Sequence, residues 1–125
     1  MFISGFLNSK KVKILLDTGS SVSLIGGKIL DSIVDQRDGE AEEFDKIIAV
    51  NSTEMQVAGM IQGKLKIGQF ETQTKLNILP EASYEVLLGR DFLCKHVKII
   101  DFMTKEILFR DNSNVRGSNG AETKL

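Results

Sequence analysis

The chain has 125 residues, 42% of them apolar, with 16 Lys and Arg against 17 Asp and Glu for a formal net charge of −1. That is the size of one ordinary domain with enough apolar surface for a core. A near-neutral balance lacks the electrostatic footprint of a nucleic-acid binder, and no apolar run nears the roughly 18–20 residues of a membrane span. A lone cysteine, Cys94, excludes an intrachain disulfide, and with a lone histidine, His96, it cannot furnish a structural zinc site. Lys10 and Lys11 follow the first apolar stretch instead of preceding it, the reverse of a secretion signal. The chain is therefore expected in the cytoplasm or an intracellular particle, not secreted, with no cofactor.

In chain order, Val12–Leu16 is the first clear strand, and Lys28–Val34 has room for a short helix. Gln36–Asp45 carries Asp38, Glu40, Glu42, Glu43 and Asp45 against Arg37 alone, the composition of a solvated loop or of a contact for basic side chains. Lys46–Val50 and Met55–Ile61 read as paired strands around Asn51-Ser52-Thr53-Glu54. Lys64-Leu65-Lys66-Ile67 alternates as a half-buried strand does, and Gly68-Gln69 offers a two-residue turn into Phe70–Leu79. Tyr84–Leu88 reads as a buried strand, Gly89–His96 as a two-turn helix, and Val97–Phe102 with Glu106–Phe109 as a closing hairpin. Residues 111–125 are rich in Asn, Ser and Gly with few large apolar side chains, which predicts a polar disordered tail or linker after a domain spanning 1–110. The fold class is mainly β with one or two short helices, and no segment repeats.

Chemistry concentrates in Ile14-Leu15-Leu16-Asp17-Thr18-Gly19-Ser20-Ser21. An apolar strand runs directly into an acid, where a carboxylate must find hydrogen bonds. Thr18, Gly19, Ser20 and Ser21 supply donors, and Gly19 allows a tight turn. An Asp bonding its own turn explains part of this pattern. A phosphatase-type nucleophile would want an acid at position 19, which is Gly19. A second segment, Tyr84-Glu85-Val86-Leu87-Leu88-Gly89-Arg90-Asp91-Phe92-Leu93, follows about 70 residues on.

Together these two segments, with Ile99-Ile100-Asp101-Phe102 and Glu106-Ile107-Leu108-Phe109 behind them, resemble the retroviral-type (retropepsin-like) aspartic proteases. The likeness is to the proteases of long-terminal-repeat retrotransposons and to the protease domain of ubiquitin-shuttle proteins, and it covers roughly residues 1 to 110. It implies a small closed β-barrel-like fold, a homodimer, and an aspartic endopeptidase acting on an extended polypeptide, in polyprotein processing of a retroelement or in a domesticated derivative. A non-catalytic dimerisation or peptide-binding module on the same fold is the alternative.

The homodimer has independent support, since hydrolysis by carboxylates alone needs two of them sharing one proton, and this chain has one Asp-Thr-Gly. By the resemblance Asp17 is catalytic, Thr18 bonds across the two-fold axis, and Gly19 passes close to the partner loop. Ser20 places a hydroxyl within reach of Asp17, where donation would lower the pKa of the pair. Ala49, Val50, Asn51, Ser52 and Thr53 correspond to a substrate-covering flap, although its tip lacks the family's glycines. Glu85 and Leu87 correspond to pocket residues, with Val86 and Leu88 in the core. Arg90 lacks the family's acidic partner, since Ser21 stands at that place, so it must pair with Asp91 or a carbonyl. Cys94 is read as a small buried hydrophobe and His96 as a partly exposed helix-end residue.

Overall fold

A computed structural model describes residues 1–33, 46–48, 54–56 and 58–118. The chain opens with a hairpin that the periodicity had not singled out, β1 (Phe2–Leu7) antiparallel to β2 (Lys10–Leu16). Its turn is Asn8-Ser9, both at positive φ, 49° and 71°. This backbone suits the right-handed twist of the adjoining strands, and Asn is among the few non-glycine residues that tolerate it. Asn8 Oδ1 also accepts from the Lys64 amide at 2.9 Å, so the side chain anchors the turn to a neighbouring strand.

Next come β3 (Leu24–Gly26), α1 (Gly27–Ile33), β4 (Lys46–Ile48), β5 (Glu54–Gln56), β6 (Gly59–Ile67), β7 (Phe70–Leu79) and β8 (Val86–Leu88). Then follow α2 (Arg90–His96), β9 (Val97–Asp101), β10 (Glu106–Phe109) and β11 (Asn114–Arg116). Six of the strands close into a barrel in the order β1-β2-β8-β3-β7-β6. The longest hairpin, β6–β7, keeps register over nine pairs from Gly59↔Ile78 to Ile67↔Phe70. It turns at Gly68, whose φ of 60° glycine adopts without penalty. Along β6, Ile61, Leu65 and Ile67 point inward while Lys64 and Lys66 face water. That alternation is the one visible in the sequence.

The barrel encloses a core of Ile3, Leu7, Ile14, Leu65, Leu76 and Leu88, extended at one end by aromatic rings. Phe70 stacks on Phe109 with centroids 4.4 Å apart and meets Phe92 edge-on at 6.2 Å. His96, half-buried at the end of α2, leans on Phe70 and Phe92. Burial first, then the charges of Lys95 and Arg110, lower its pKa below 6.5.

Three expectations are corrected. The segment expected to span Met55–Ile61 divides: β5 pairs with β4 as a separate two-stranded sheet, and β6 begins at Gly59. The tail expected from residue 111 is part of the fold as far as Ser118. β11 pairs with β10, Ile107 opposite Val115, and Ser118 exchanges two amide hydrogen bonds with Phe2 at 2.7 and 2.8 Å. Composition misleads here because strand pairing satisfies main-chain groups whatever the side chains are. Cys94 is exposed, not buried.

Candidate active site

Strands β2 and β3 both flank β8, in the order β2-β8-β3. The connection from one to the other, residues 17–23, must therefore cross the end of β8. Asp17 opens this crossing: its amide donates to the Leu88 carbonyl at 3.0 Å, extending the parallel β2–β8 pairing. The Gly19 amide donates to Asp17 Oδ1 at 2.9 Å, and the Ser20 amide donates to the Asp17 carbonyl at 3.2 Å. Asp17 is half-buried, whereas Thr18 and Gly19 stand exposed at the tip of the loop.

The crossing leaves no room for a side chain where β8 ends. A Cβ on Gly89 would lie 2.3 Å from the Val22 carbonyl oxygen and 2.7 Å from that of Ser20. With the side chain absent, α2 starts directly against the loop, and the Arg90 amide donates to the Ser20 carbonyl at 2.8 Å.

One acid locks the two segments together. Asp91 Oδ1 accepts from Ser23 Oγ at 2.6 Å and from the Phe92 amide at 2.7 Å, and Oδ2 accepts from the Ser23 amide at 3.1 Å. Ser23 Oγ in turn accepts from the Gly89 amide at 3.0 Å. The Ser23 carbonyl takes both the amide and the side-chain Nδ2 of Asn77. Ser23 and Asn77 had not been singled out in the sequence. The signal was the acid of Gly89-Arg90-Asp91, but its partner lies 68 residues away. Asp91 thus answers to Ser23 and not to Arg90, whose side chain enters no ion pair among the described residues.

Ser20 is corrected. It is fully buried, and its hydroxyl donates to the Val22 carbonyl at 2.8 Å, closing the loop on itself instead of reaching the Asp17 carboxylate.

Beside Asp17 lies a second apolar cluster, separate from the barrel core, made of Leu24, Leu79 and Leu87 with Leu15, Val22, Ala82 and Tyr84 packed on it. Val86 and Leu88 point the other way, into the main core. Leu87 is only 4% exposed and so forms the floor of this patch. Glu85 parts company with it, since its Oε1 accepts from the Lys13 amide at 2.7 Å. Tyr84, at the rim, feels the site: burial, then the charge of Asp17, raises its phenol above 10.0, leaving a neutral donor near the carboxylate. Ala49, Val50, Asn51, Ser52 and Thr53 lie outside the described residues. Their strands β4 and β5 are paired, Ile48 opposite Glu54. Among the described residues no group of three or more His, Cys, Asp or Glu side chains gathers, and no helix is long and apolar enough to cross a membrane.

Residues 3–95 match the family described as gag-polyprotein putative aspartyl protease. The chain belongs to that family. Among solved structures it is similar to the retroviral protease-like domain of Ddi1 from Leishmania major, with a TM-score of 0.76 at 16% identity over 98% of this chain and 96% of that one. It is also similar to the EIAV protease complexed with the inhibitor HBY-793 (TM-score 0.63, 18% identity, 76% and 86% of the two chains). A retropepsin-like aspartic protease from Rickettsia conorii aligns with a TM-score of 0.58 at 19% identity, over 80% and 75%. The fold is that of the retropepsins.

Proposed function

We propose that the chain is an aspartic endopeptidase that works as a homodimer, with Asp17 of each copy contributing one carboxyl to a shared site. The observation that carries this reading is the setting of Asp17. It sits at a strand end, fixed by Gly19 N–H and a braced loop, half open to solvent, with only one such acid per chain.

Two such carboxyls brought together on a two-fold axis cannot both ionise cheaply, so they share a proton. The ionised member draws a proton from water, which attacks the scissile carbonyl, while the protonated member donates to the carbonyl oxygen. The exposed Thr18 and Gly19 are the atoms that would meet the partner loop, Thr18 by bonding across the axis.

The surface that joins the copies is the outer face of the β9–β10 hairpin. Ile99 is 53% exposed, Phe102 62% and Met103 92%, and Ile99 lies opposite Leu108 on the same sheet. Among the described residues β9 is also an edge strand, with an open row of main-chain groups. This sheet neighbours the catalytic loop through two routes. β9 leaves α2, which starts on the loop, and residue 118 beyond β11 bonds Phe2, next to Met1, whose carbonyl accepts from Leu16 N. Extended polypeptides with apolar residues beside the cleaved bond suit the floor formed by Leu24, Leu79 and Leu87. Polyprotein processing inside the cell, for a retroelement or a domesticated derivative, is the role this activity fits.

The test is cleavage of an unstructured, apolar-rich protein in mild acid, at about pH 5, the side of neutrality that favours a proton shared between two close carboxyls. Cleavage blocked by a pepstatin-type inhibitor is expected. Asp17→Asn keeps an acceptor for the Gly19 amide, so the fold should persist while activity falls by at least about 10²–10⁴-fold. A variant that still cleaves, free of contaminating protease, overturns the assignment. An inert wild-type dimer would instead favour a peptide-binding module.

A further inference from the structure

A cavity of about 720 Å³ opens between the first hairpin and the C-terminal strand, away from the acid of the candidate site. Its walls carry Lys11 and Lys13 of β2, Arg116 of β11, and the Phe2 ring, with Glu85 at one edge. Lys13 Nζ sits over the Phe2 ring, 4.4 Å from its centroid. Among the described residues none of the three cations enters an ion pair, and the Glu85 carboxylate is already bonded to the Lys13 amide. The groove is thus a concentration of positive charge on a chain whose overall charge is −1.

Its position is as informative as its charge. β2 and β8 run parallel into the candidate site, with Ile14 level with Val86 and Leu16 level with Leu88. Lys13 and Glu85 therefore precede the site side by side. Lys13 lies four residue steps before Asp17, about 13 Å at ~3.3 Å per residue. An extended polypeptide lying along these strands from Asp17 reaches the groove about four residues from the bond being cut.

From this we infer that the groove is a binding site for acidic polypeptide segments, and that it selects substrates carrying Glu or Asp about four or five residues from the scissile bond. The inference rests on the protease reading for its second half only, because binding needs no catalysis. Three partly exposed cations against carboxylates supply a modest, salt-sensitive preference of about tenfold.

The experiment measures fluorescence anisotropy of the full chain with a Glu-rich peptide, its Gln isostere, and a single-stranded oligonucleotide of equal charge. The Glu peptide should bind about tenfold tighter than the Gln isostere, and the difference should shrink as salt rises. Lys11→Gln with Lys13→Gln and Arg116→Gln should erase it, and the corresponding Lys→Arg changes should retain it. These side chains face water, so the fold should tolerate the changes. Equal affinity for the two peptides, an unaffected triple Gln variant, or tighter binding of the oligonucleotide overturns the proposal. Cleavage assays then separate the two readings. Acids four or five residues from the bond should lower KM and leave kcat alone, an effect lost in the triple variant. Discriminating binding without cleavage of any peptide would sink the protease and leave the acid-binding groove standing. Cleavage without discrimination would do the opposite.

Discussion

The Asp17 loop and the C-terminal hairpin both adjoin α2, the loop at its start and the hairpin at its end, yet they are finished to different degrees. In the loop, Ser20 is closed on Val22 and Ser23 is held by Asp91, Gly89 and Asn77. In the hairpin, Ile99, Phe102 and Met103 face water, and among the described residues β9 leaves one edge open. On the proposed reading a single chain completes the support of its acid but lacks the acid's partner and the cover of this apolar face, and docking of a second copy would supply both.

The largest expected effect comes from breaking the unfinished region. Ile99→Glu with Phe102→Glu should yield a folded chain that sediments as a monomer and has lost its cleavage activity. Each buried apolar side chain contributes about 1.5–3 kcal/mol, and two-fold symmetry removes each one twice. The dimer dissociation constant should rise by more than about a thousandfold. A variant that stays dimeric moves the interface elsewhere.

Breaking the finished region acts on stability instead. Asp91→Ala removes the acceptor of the Ser23 amide and hydroxyl and leaves the Phe92 amide only the Gly89 carbonyl at 3.1 Å, a loss of about 1–3 kcal/mol in urea unfolding. Asp91→Asn, which keeps one acceptor, should recover part of it. Equal midpoints for all three proteins would mean that water replaces the carboxylate at no cost.

These regions also differ in how far the sequence disclosed them. Asp17-Thr18-Gly19 announced itself because an acid ending an apolar strand is costly without a purpose. The β6–β7 hairpin did so because Lys64-Leu65-Lys66-Ile67 alternates and Gly68 breaks the run. β3 went unseen because Leu24-Ile25-Gly26 is buried on all sides and has no period. The Ser23–Asp91 lock joins positions whose proximity exists only after the barrel closes. β11 was hidden by its composition, since its pairing is done by main-chain groups, with Val115 alone packing on the core. The direction of the Ser20 hydroxyl depends on a rotamer, and Val22 won it from Asp17.

A gentler probe of the packed side of α2 is pH. His96 has a folded-state pKa below that of the free side chain, so folding favours its neutral form. The unfolded chain binds more protons there, and stability should fall as pH drops from about 6.5 through the lowered folded value. His96→Gln should flatten that portion of the stability profile, and an unchanged slope would assign it to other groups.

The smallest effect is expected at Ser20. Because its hydroxyl serves Val22, Ser20→Ala should cost about 1 kcal/mol of stability and leave both limbs of the kcat/KM profile against pH where they were. A shift of either limb toward alkali would show that the hydroxyl turns to the carboxylate in the working enzyme.

The central claim is that one site is built from two copies of this chain, and the initial rate of peptide cleavage against protein concentration tests it most directly. Dilution through the dissociation constant should make the rate fall with the square of concentration, because a separated copy holds one carboxyl. A rate that stays strictly proportional to concentration, from a chain that sediments as a monomer throughout, would contradict it.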